Sequence, residues 1–400
     1  MSPSPQPEVV SLGCRLNIAE SETIRLLAAG RDVAVVNSCA VTNEAVKQSR
    51  AAIRRLRRSR PSAELVVTGC AATIDPAGFS AMAEVDRVVA NPHKLSPPSW
   101  GSDQPNAPVF AFAGHARAFV EVQNGCDHRC TFCAIPFGRG ASRSLPAGAV
   151  VDRVRALVDA GHHEVVLTGV DVTSWGSDLP GRPSFGALVE RILAHVPALM
   201  RLRLSSLDSI EMDERLIACI AGDRRVMPHI HLSLQSGSDL ILKRMKRRHG
   251  RAQAIALVER LKAARPDIAI GADIIAGFPT EDDAMFADSL AMVEACDIVH
   301  GHIFPYSPRA GTPAARMPQV EPQIRRDRAA LLREATATRR ARWLAGLVGT
   351  RQSVLAERPG SHGHAENFAE VRLERAVQPG TIHPVTITGA TDSHLLGTIA

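Results

Sequence analysis

The chain has 400 residues, 45% of them apolar and 22% charged, with a formal net charge of +6. That mixture belongs to a globular protein and excludes a disordered or collagen-like chain. No stretch approaches the roughly 20 apolar residues that span a bilayer, and MSPSPQPEVV at the start lacks the basic start and apolar core of a signal peptide. A cytoplasmic protein with no membrane partner is therefore expected. In that reducing compartment, eight cysteines point to metal ligands or core residues rather than disulfides. The arginine-rich basic excess suits a phosphate-bearing partner or a plain solvated surface.

Three runs in the first hundred residues, 8–14, 32–39 and 64–70, each carry a β-branched stretch that ends at a cysteine: Cys14, Cys39 and Cys70. Helical segments near 19–29 and 43–59 separate them, so the alternation predicts a parallel α/β sheet. The carboxyl ends of such strands share one edge, where ligands bind, and the three cysteines are expected to converge there. Residues 92–108, rich in Pro, Ser and Asn, read as a linker.

From 118 onward strands are predicted at 119–123, 164–168, 201–205, 229–234, 268–275 and 298–304. Helices fall between them at 146–160, 184–195, 212–221, 238–264 and 281–295. Six βα units without a seventh and eighth make an open partial (βα)6 barrel, with its site at the carboxyl ends of the strands. An arginine-rich helix at 321–346 leads into short alternating strands at 352–357, 369–373 and 383–388, a small all-β module. The expected division is an α/β domain over 1–95, a linker over 96–115, the barrel over 116–348 and the β module over 349–400.

Cys126, Cys130 and Cys133 form a CxxxCxxC loop directly after the first barrel strand. Iron–sulfur clusters are held by cysteine thiolates, normally one per iron, so three thiolates leave one iron open. A structural zinc site wants four closed ligands; the competing reading is a zinc-stabilised RNA-binding protein in which His128 or a remote residue completes the set. Cys14, Cys39 and Cys70 make a second trio, for a second cluster. Cys219 and Cys296 read as core. In the post-strand loops, Gly169 and Gly277 with Pro279 bring backbone close to a ligand. Ser205, Gln235 and Ser236 offer polar groups there, the last two with helix capping as a second reading. Arg139 and Arg143 beside the cluster loop are placed to meet a phosphate or a carboxylate. The arginine clusters at 47–60 and 325–342 read first as solvated helix faces and second as nucleic-acid contacts.

The motifs together resemble the radical S-adenosylmethionine (SAM) methylthiotransferases over nearly the whole length. SLGCRLN at 11–17, NSCAVT at 37–42, TGC at 68–70, the CxxxCxxC loop with IP at 135–136 and RG at 139–140, LQSGS at 234–238 and GFPTE at 277–281 carry the likeness. GCRLN with Glu20 and Ser21, and CAVTN at 39–43 with Ser49 and Arg50, are most similar to the subgroup acting on N6-threonylcarbamoyladenosine at position 37 of tRNA. Isopentenyladenosine in tRNA and an aspartate of a ribosomal protein are the alternative substrates. The resemblance implies two 4Fe-4S clusters. The one on Cys126, Cys130 and Cys133 cleaves SAM to a radical that takes hydrogen from carbon 2 of the adenine. The one on Cys14, Cys39 and Cys70 supplies sulfur, which a second SAM methylates. It also implies a reducing electron donor, contact with the anticodon-loop region of tRNA, and a C-terminal TRAM-like RNA-binding barrel. Few Lys and Arg residues lie between 354 and 400.

Overall fold

The computed structural model describes residues 6–102, 112 and 115–399. Its first unit is a four-stranded parallel sheet in the order β1 (Glu8–Ser11), β2 (Val33–Ser38), β3 (Glu64–Gly69), β4 (Arg87–Val88). Alternate residues of its strands enter two separate cores, as pleating requires. Ala34, Val36, Leu65 and Val67 meet Ile53 and Leu56 of α2 (Asn43–Ser59) on one face. Val9, Val33, Val35 and Val66 meet Ile24 and Leu27 of α1 (Arg15–Leu27) on the other. Two short helices, α3 (Cys70–Ile74) and α4 (Pro76–Ser80), follow β3.

The part of the predicted linker that is described is packed against this sheet. Trp100 is fully buried in the second core and donates its indole N–H to Lys94 O at 2.8 Å. Lys94, also buried, binds Glu20 of α1 at 2.5 Å. Residues 103–108 of the linker lie outside the described residues.

The middle unit alternates strand and helix: β5 (Ala118–Glu121), the hairpin β6 (Gln123–Asn124) and β7 (Arg143–Ser144) around α5 (Ile135–Arg139), then α6 (Ala147–Asp159), β8 (Glu164–Thr168), α7 (Phe185–His195), β9 (Arg201–Leu204), α8 (Glu214–Gly222) and β10 (His229–Gln235). It continues with α9 (Asp239–Met245), α10 (Arg251–Ala264), β11 (Ala269–Ala276), α11 (Asp283–Ala295), β12 (Ile298–Pro305) and α12 (Pro322–Ala345). Two parallel three-stranded sheets, β5-β8-β9 and β10-β11-β12, join through the parallel bridges Leu202–Val226 and Leu207–Leu232. The result is a six-stranded open barrel. Among the described residues β12 does not pair with β5, and α1 of the first unit packs along β5.

The third unit is a closed barrel of β13 (Arg351–Glu357), β14 (His362–Ala365), β15 (Glu370–Leu373), β17 (Leu395–Ile399) and β16 (Ile382–Ala390), in that order around it. It seats on the amino ends of the middle strands. Arg117 links Glu164 to Glu357, Arg201 donates to Ser353 O at 2.8 Å, and Arg203 donates to Glu366 O at 3.1 Å. Phe368 stacks on His229 with ring centroids 4.9 Å apart. No helix among the described residues is long and apolar enough to cross a membrane.

Glu164 is buried and shared by Arg117, Arg201 and Arg203. Glu164→Ala strands three guanidiniums and is expected to cost about 3–5 kcal/mol, read as a lower urea midpoint. Glu357 also responds to pH. Burial pushes its carboxyl up, but His364 and Arg117 outweigh that and hold it at about 2. A depressed carboxylate contributes stability above its unfolded range and loses it as pH falls through its folded value. Amide protection factors in the β module, with the intrinsic pH dependence of exchange divided out, are therefore expected to fall as pH drops from the ordinary glutamate range toward about 2, and Glu357→Gln is expected to flatten that dependence.

Candidate functional site

The first cysteine set depends on two glycines. Gly13, before Cys14, has φ +91°, and a Cβ there would lie 2.7 Å from Cys39 Sγ. Gly69, before Cys70, has φ +95°, and a Cβ there would lie 2.3 Å from Ser38 O. Only glycine lets both chain segments turn onto the strand ends. Cys14, Cys39 and Cys70 thus gather at the carboxyl edge of β1, β2 and β3. Burial pushes the Cys39 thiol up, with Cys14 and Cys70 adding to the effect.

The second set lies on the loop between β6 and α5. Gly125 (φ +74°) lets the chain pass against Ala141, where a Cβ would sit 1.9 Å from the carbonyl oxygen. Cys126 N–H donates to Gly140 O at 3.1 Å, Cys133 N–H to Cys130 O at 3.2 Å, and Thr131 N–H to Met245 O at 3.1 Å. Burial raises Cys126 to about 12, helped by Asp171, Cys133 and Cys130, and burial raises Cys133 to about 11. His128 Nε2 lies 2.8 Å from Asp171 Oδ2, which is itself 3.9 Å from Cys126 Sγ, so His128 and Asp171 stand beside the first cysteine of this set.

The two sets face one another. Gly138 of α5 lies against Cys70, where a Cβ would be 3.2 Å from the cysteine Cβ. Asn91 spans the gap, with Nδ2 2.6 Å from Gly138 O and 3.6 Å from Cys70 Sγ. Between the sets opens a cavity of about 210 Å³, walled by Val41 and Thr42 just after Cys39, by Cys133, and by Gln235, Asp273 and Tyr306 on the barrel strands.

The other sequence-predicted residues divide. Gln235, at φ +69°, lines the cavity. Ser205 is buried at the end of β9 with its hydroxyl unpartnered among the described residues. At Gly169 a Cβ would lie 2.6 Å from Gln123 O. Ser236 is occupied with Ser289 and the Ser238 N–H. Gly277 is pressed against Arg325 and donates its N–H to Glu281 at 2.8 Å, so this turn with Pro279 anchors α12.

Arg139 corrects the expectation of an anion contact. It is buried, donates to both carboxylate oxygens of Glu20 at 2.9 and 3.0 Å and to Asn17 Oδ1 at 2.6 Å, and so joins the first unit to the barrel. Arg143 donates to the backbone carbonyls of Arg139 and Ala141. In the two arginine clusters, Arg57 pairs with Asp86, Arg60 with Asp32, Arg328 with Glu281 and Arg339 with Asp297, as solvated or packed helix faces do. Cys219 and Cys296 are buried in the barrel core.

Sequence reasoning missed the group Asp273, His231 and His302, which lie on three neighbouring strands. Asp273 Oδ1 is 3.1 Å from His231 Nε2 and 3.3 Å from His302 Nδ1. Burial pushes the Asp273 carboxyl up, but the two imidazoles outweigh it and hold it well below the carboxylate range. The alternation of histidines in 229–231 and 300–302 was the available signal.

Residues 120–293 match the Radical SAM superfamily and residues 7–90 match the Uncharacterized protein family UPF0004. The chain is 45% identical to the threonylcarbamoyladenosine tRNA methylthiotransferase MtaB of Rickettsia prowazekii, over 97% of this chain and 96% of that one. It is 34% identical to the tRNA-2-methylthio-N(6)-dimethylallyladenosine synthase of Erythrobacter litoralis, over 90% and 89%. The chain belongs to the radical SAM methylthiotransferase family. Its fold resembles that of the radical SAM methyltransferase TsrM of Kitasatospora setae, with a TM-score of 0.52 and 17% identity over 74% of this chain and 66% of that one.

Membership in the family implies a 4Fe-4S cluster and SAM. The methylthiotransferase has residues that fit both groups. Burial above all, with the neighbouring thiols adding to it, raises Cys126 and Cys133, and a bound cation removes that penalty by taking them as thiolates. The Tyr306 hydroxyl on the cavity wall and the Ser205 hydroxyl are buried and unpartnered among the described residues, which leaves polar groups for a ligand to satisfy.

Proposed function

We propose that this methylthiotransferase acts on carbon 2 of N6-threonylcarbamoyladenosine in the anticodon-loop region of tRNA, at position 37, with two clusters and two SAM molecules. The observation that carries this reading is a cavity lined both by Cys133 and by Val41 and Thr42, the residues that follow Cys39. Cys126, Cys130 and Cys133 would hold one 4Fe-4S cluster with an iron left for SAM, and Cys14, Cys39 and Cys70 a second. When bound, these groups and an external one-electron reductant supply a radical and a sulfur atom, chemistry that proteins delegate to cofactors.

The chain's own residues supply place and environment. Phe132, Ile135 and Ile275 make the cavity wall apolar, which keeps water from a reactive site. Asp273, held ionised by its two histidines, offers hydrogen bonds that orient a bound base. Ser205 and Gln235 are the polar groups assigned to SAM, with Gly169 giving close backbone approach. Gly277, Pro279 and Ser236 support the same strand ends from behind. The named relatives separate two nucleosides, and the greater identity is to the protein whose name carries threonylcarbamoyladenosine.

The test is mass spectrometry of tRNA nucleosides from a strain lacking the gene. The methylthio derivative of threonylcarbamoyladenosine is expected to disappear while the unmodified precursor accumulates. An unchanged level rules this substrate out.

A further inference from the structure

Below the cavity the barrel interior carries a cation that, among the described residues, no carboxylate meets in a salt bridge. Rings descend from Asp273 in pairs: His231 beside His302 at 4.4 Å, then His229 beside His300 at 5.1 Å, then Phe368 of the β module under His229. Four guanidiniums reach this floor. Arg117 and Arg203 bind Glu164, Arg117 also binds Glu357, and Arg201 lies 3.5 Å from Glu164 and donates to Ser353. Arg15 differs from these three. No carboxylate lies within salt-bridge distance of it and no hydrogen-bond acceptor meets it among the described residues; only the face of Phe368, 5.8 Å from its guanidinium carbon, supports it.

Glu164 and Glu357 are ion-paired with Arg117, Arg201 and Arg203, and Glu366 also lies within the field of Arg201, while Arg15 pairs with none of them. A half-buried charge is costly unless it is paired, so the arrangement suits a protein whose ligand brings an anion. Arg15 is the first residue of α1, directly after Cys14, and its guanidinium lies over the Phe368 ring. Of the two nucleosides in the relatives' names, the threonylcarbamoyl substituent ends in a carboxylate and the dimethylallyl substituent is a hydrocarbon.

We propose that Arg15 is a specificity-determining residue whose guanidinium pairs, inside the barrel lumen, with the carboxylate of the threonylcarbamoyl group. This rests on the nucleoside assigned above. Arg is suited to the task because its planar fork takes a carboxylate through two N–H groups and cannot be deprotonated by its surroundings.

The test is equilibrium binding of short anticodon stem-loop RNAs to the full-length, iron-reconstituted protein. One RNA carries threonylcarbamoyladenosine, one its carboxamide, and one unmodified adenosine. All three share the same phosphates, so only the carboxylate separates the first two. The wild type is expected to bind the acid about 10- to 100-fold more tightly than the amide, the range of a charge-assisted hydrogen bond. Arg15→Gln is expected to remove that preference by weakening the acid alone, and Arg15→Lys to keep several-fold of it. Iron per chain is measured for each variant, and Arg15→Lys carries the comparison if Arg15→Gln binds less iron. A preference that survives in Arg15→Gln, or an equal loss for both RNAs, overturns the proposal. A wild type that prefers the acid and the amide equally over unmodified adenosine overturns Arg15 alone. A wild type that does not distinguish any of the three overturns the nucleoside assignment together with it.

Discussion

Cys130→Ala is expected to abolish reductive cleavage of SAM, while Cys39→Ala retains cleavage and loses sulfur insertion. The difference follows from placement. Cys130 sits on the loop with Cys126 and Cys133, and Arg247 approaches its thiol at 3.9 Å. Cys39 lies on the other side of the cavity, at the end of β2, with its N–H donated to Ser49. Loss of one thiolate from a trio leaves an iron without its protein ligand. Formation of 5′-deoxyadenosine and of methylthiolated nucleoside are measured separately. Wild-type cleavage by both variants would show that the radical-generating set has been misassigned.

Glu20→Gln is expected to be the most destabilising change at the junction of the first unit and the barrel. Glu20 is buried and meets Lys94 at 2.5 Å and Arg139 at 2.9 and 3.0 Å. Burial pushes its carboxyl up, but Lys94 and Arg139 outweigh that and hold it down. Removing the anion that pairs with both buried cations costs about 3–5 kcal/mol. Arg139 also bears on the cysteine sets, since Cys70 and Cys14 lie within its field. The variant is expected to unfold at lower denaturant and to expose residues 6–102 to proteolysis first. Wild-type stability would mean that the two units are held together elsewhere. Because the Glu20 carboxyl is depressed, its contribution is present above the ordinary glutamate range and fades as pH falls below it.

Much of this architecture was legible because its signals are local. The helix over 43–59 is marked by Thr42, whose side chain accepts from Ala45 N–H, and by a strict apolar stripe at Ala52, Ile53 and Leu56. The strand over 164–168 is a fully buried β-branched run. The start of α1 was placed four residues late because Cys14 is its N-cap and makes no side-chain cap. The hairpin of β6 with β7, and β14 and β17, were missed because they are very short or rich in small and polar residues. The segment through 102 read as a linker by composition, yet Lys94 and Trp100 are buried by residues far away in the chain.

The site was legible to the same extent. The cysteines announce themselves by spacing and by the glycines before them, and the turns at 13 and 69 require those glycines. Charge pairing is not written in spacing. Arg139 and Arg15 each stand beside a cysteine, yet one is neutralised by Glu20 and the other is left open, a difference that only the packing of α1 on the barrel decides. The His231, Asp273 and His302 group likewise depends on cross-strand register.

The central claim is that two facing trios of cysteines each hold a cluster. Iron and acid-labile sulfide per chain, measured after anaerobic purification and reconstitution, test it most directly. About eight of each per chain is the expected result for two four-iron clusters, whereas about four of each, or zinc in place of iron, would contradict it.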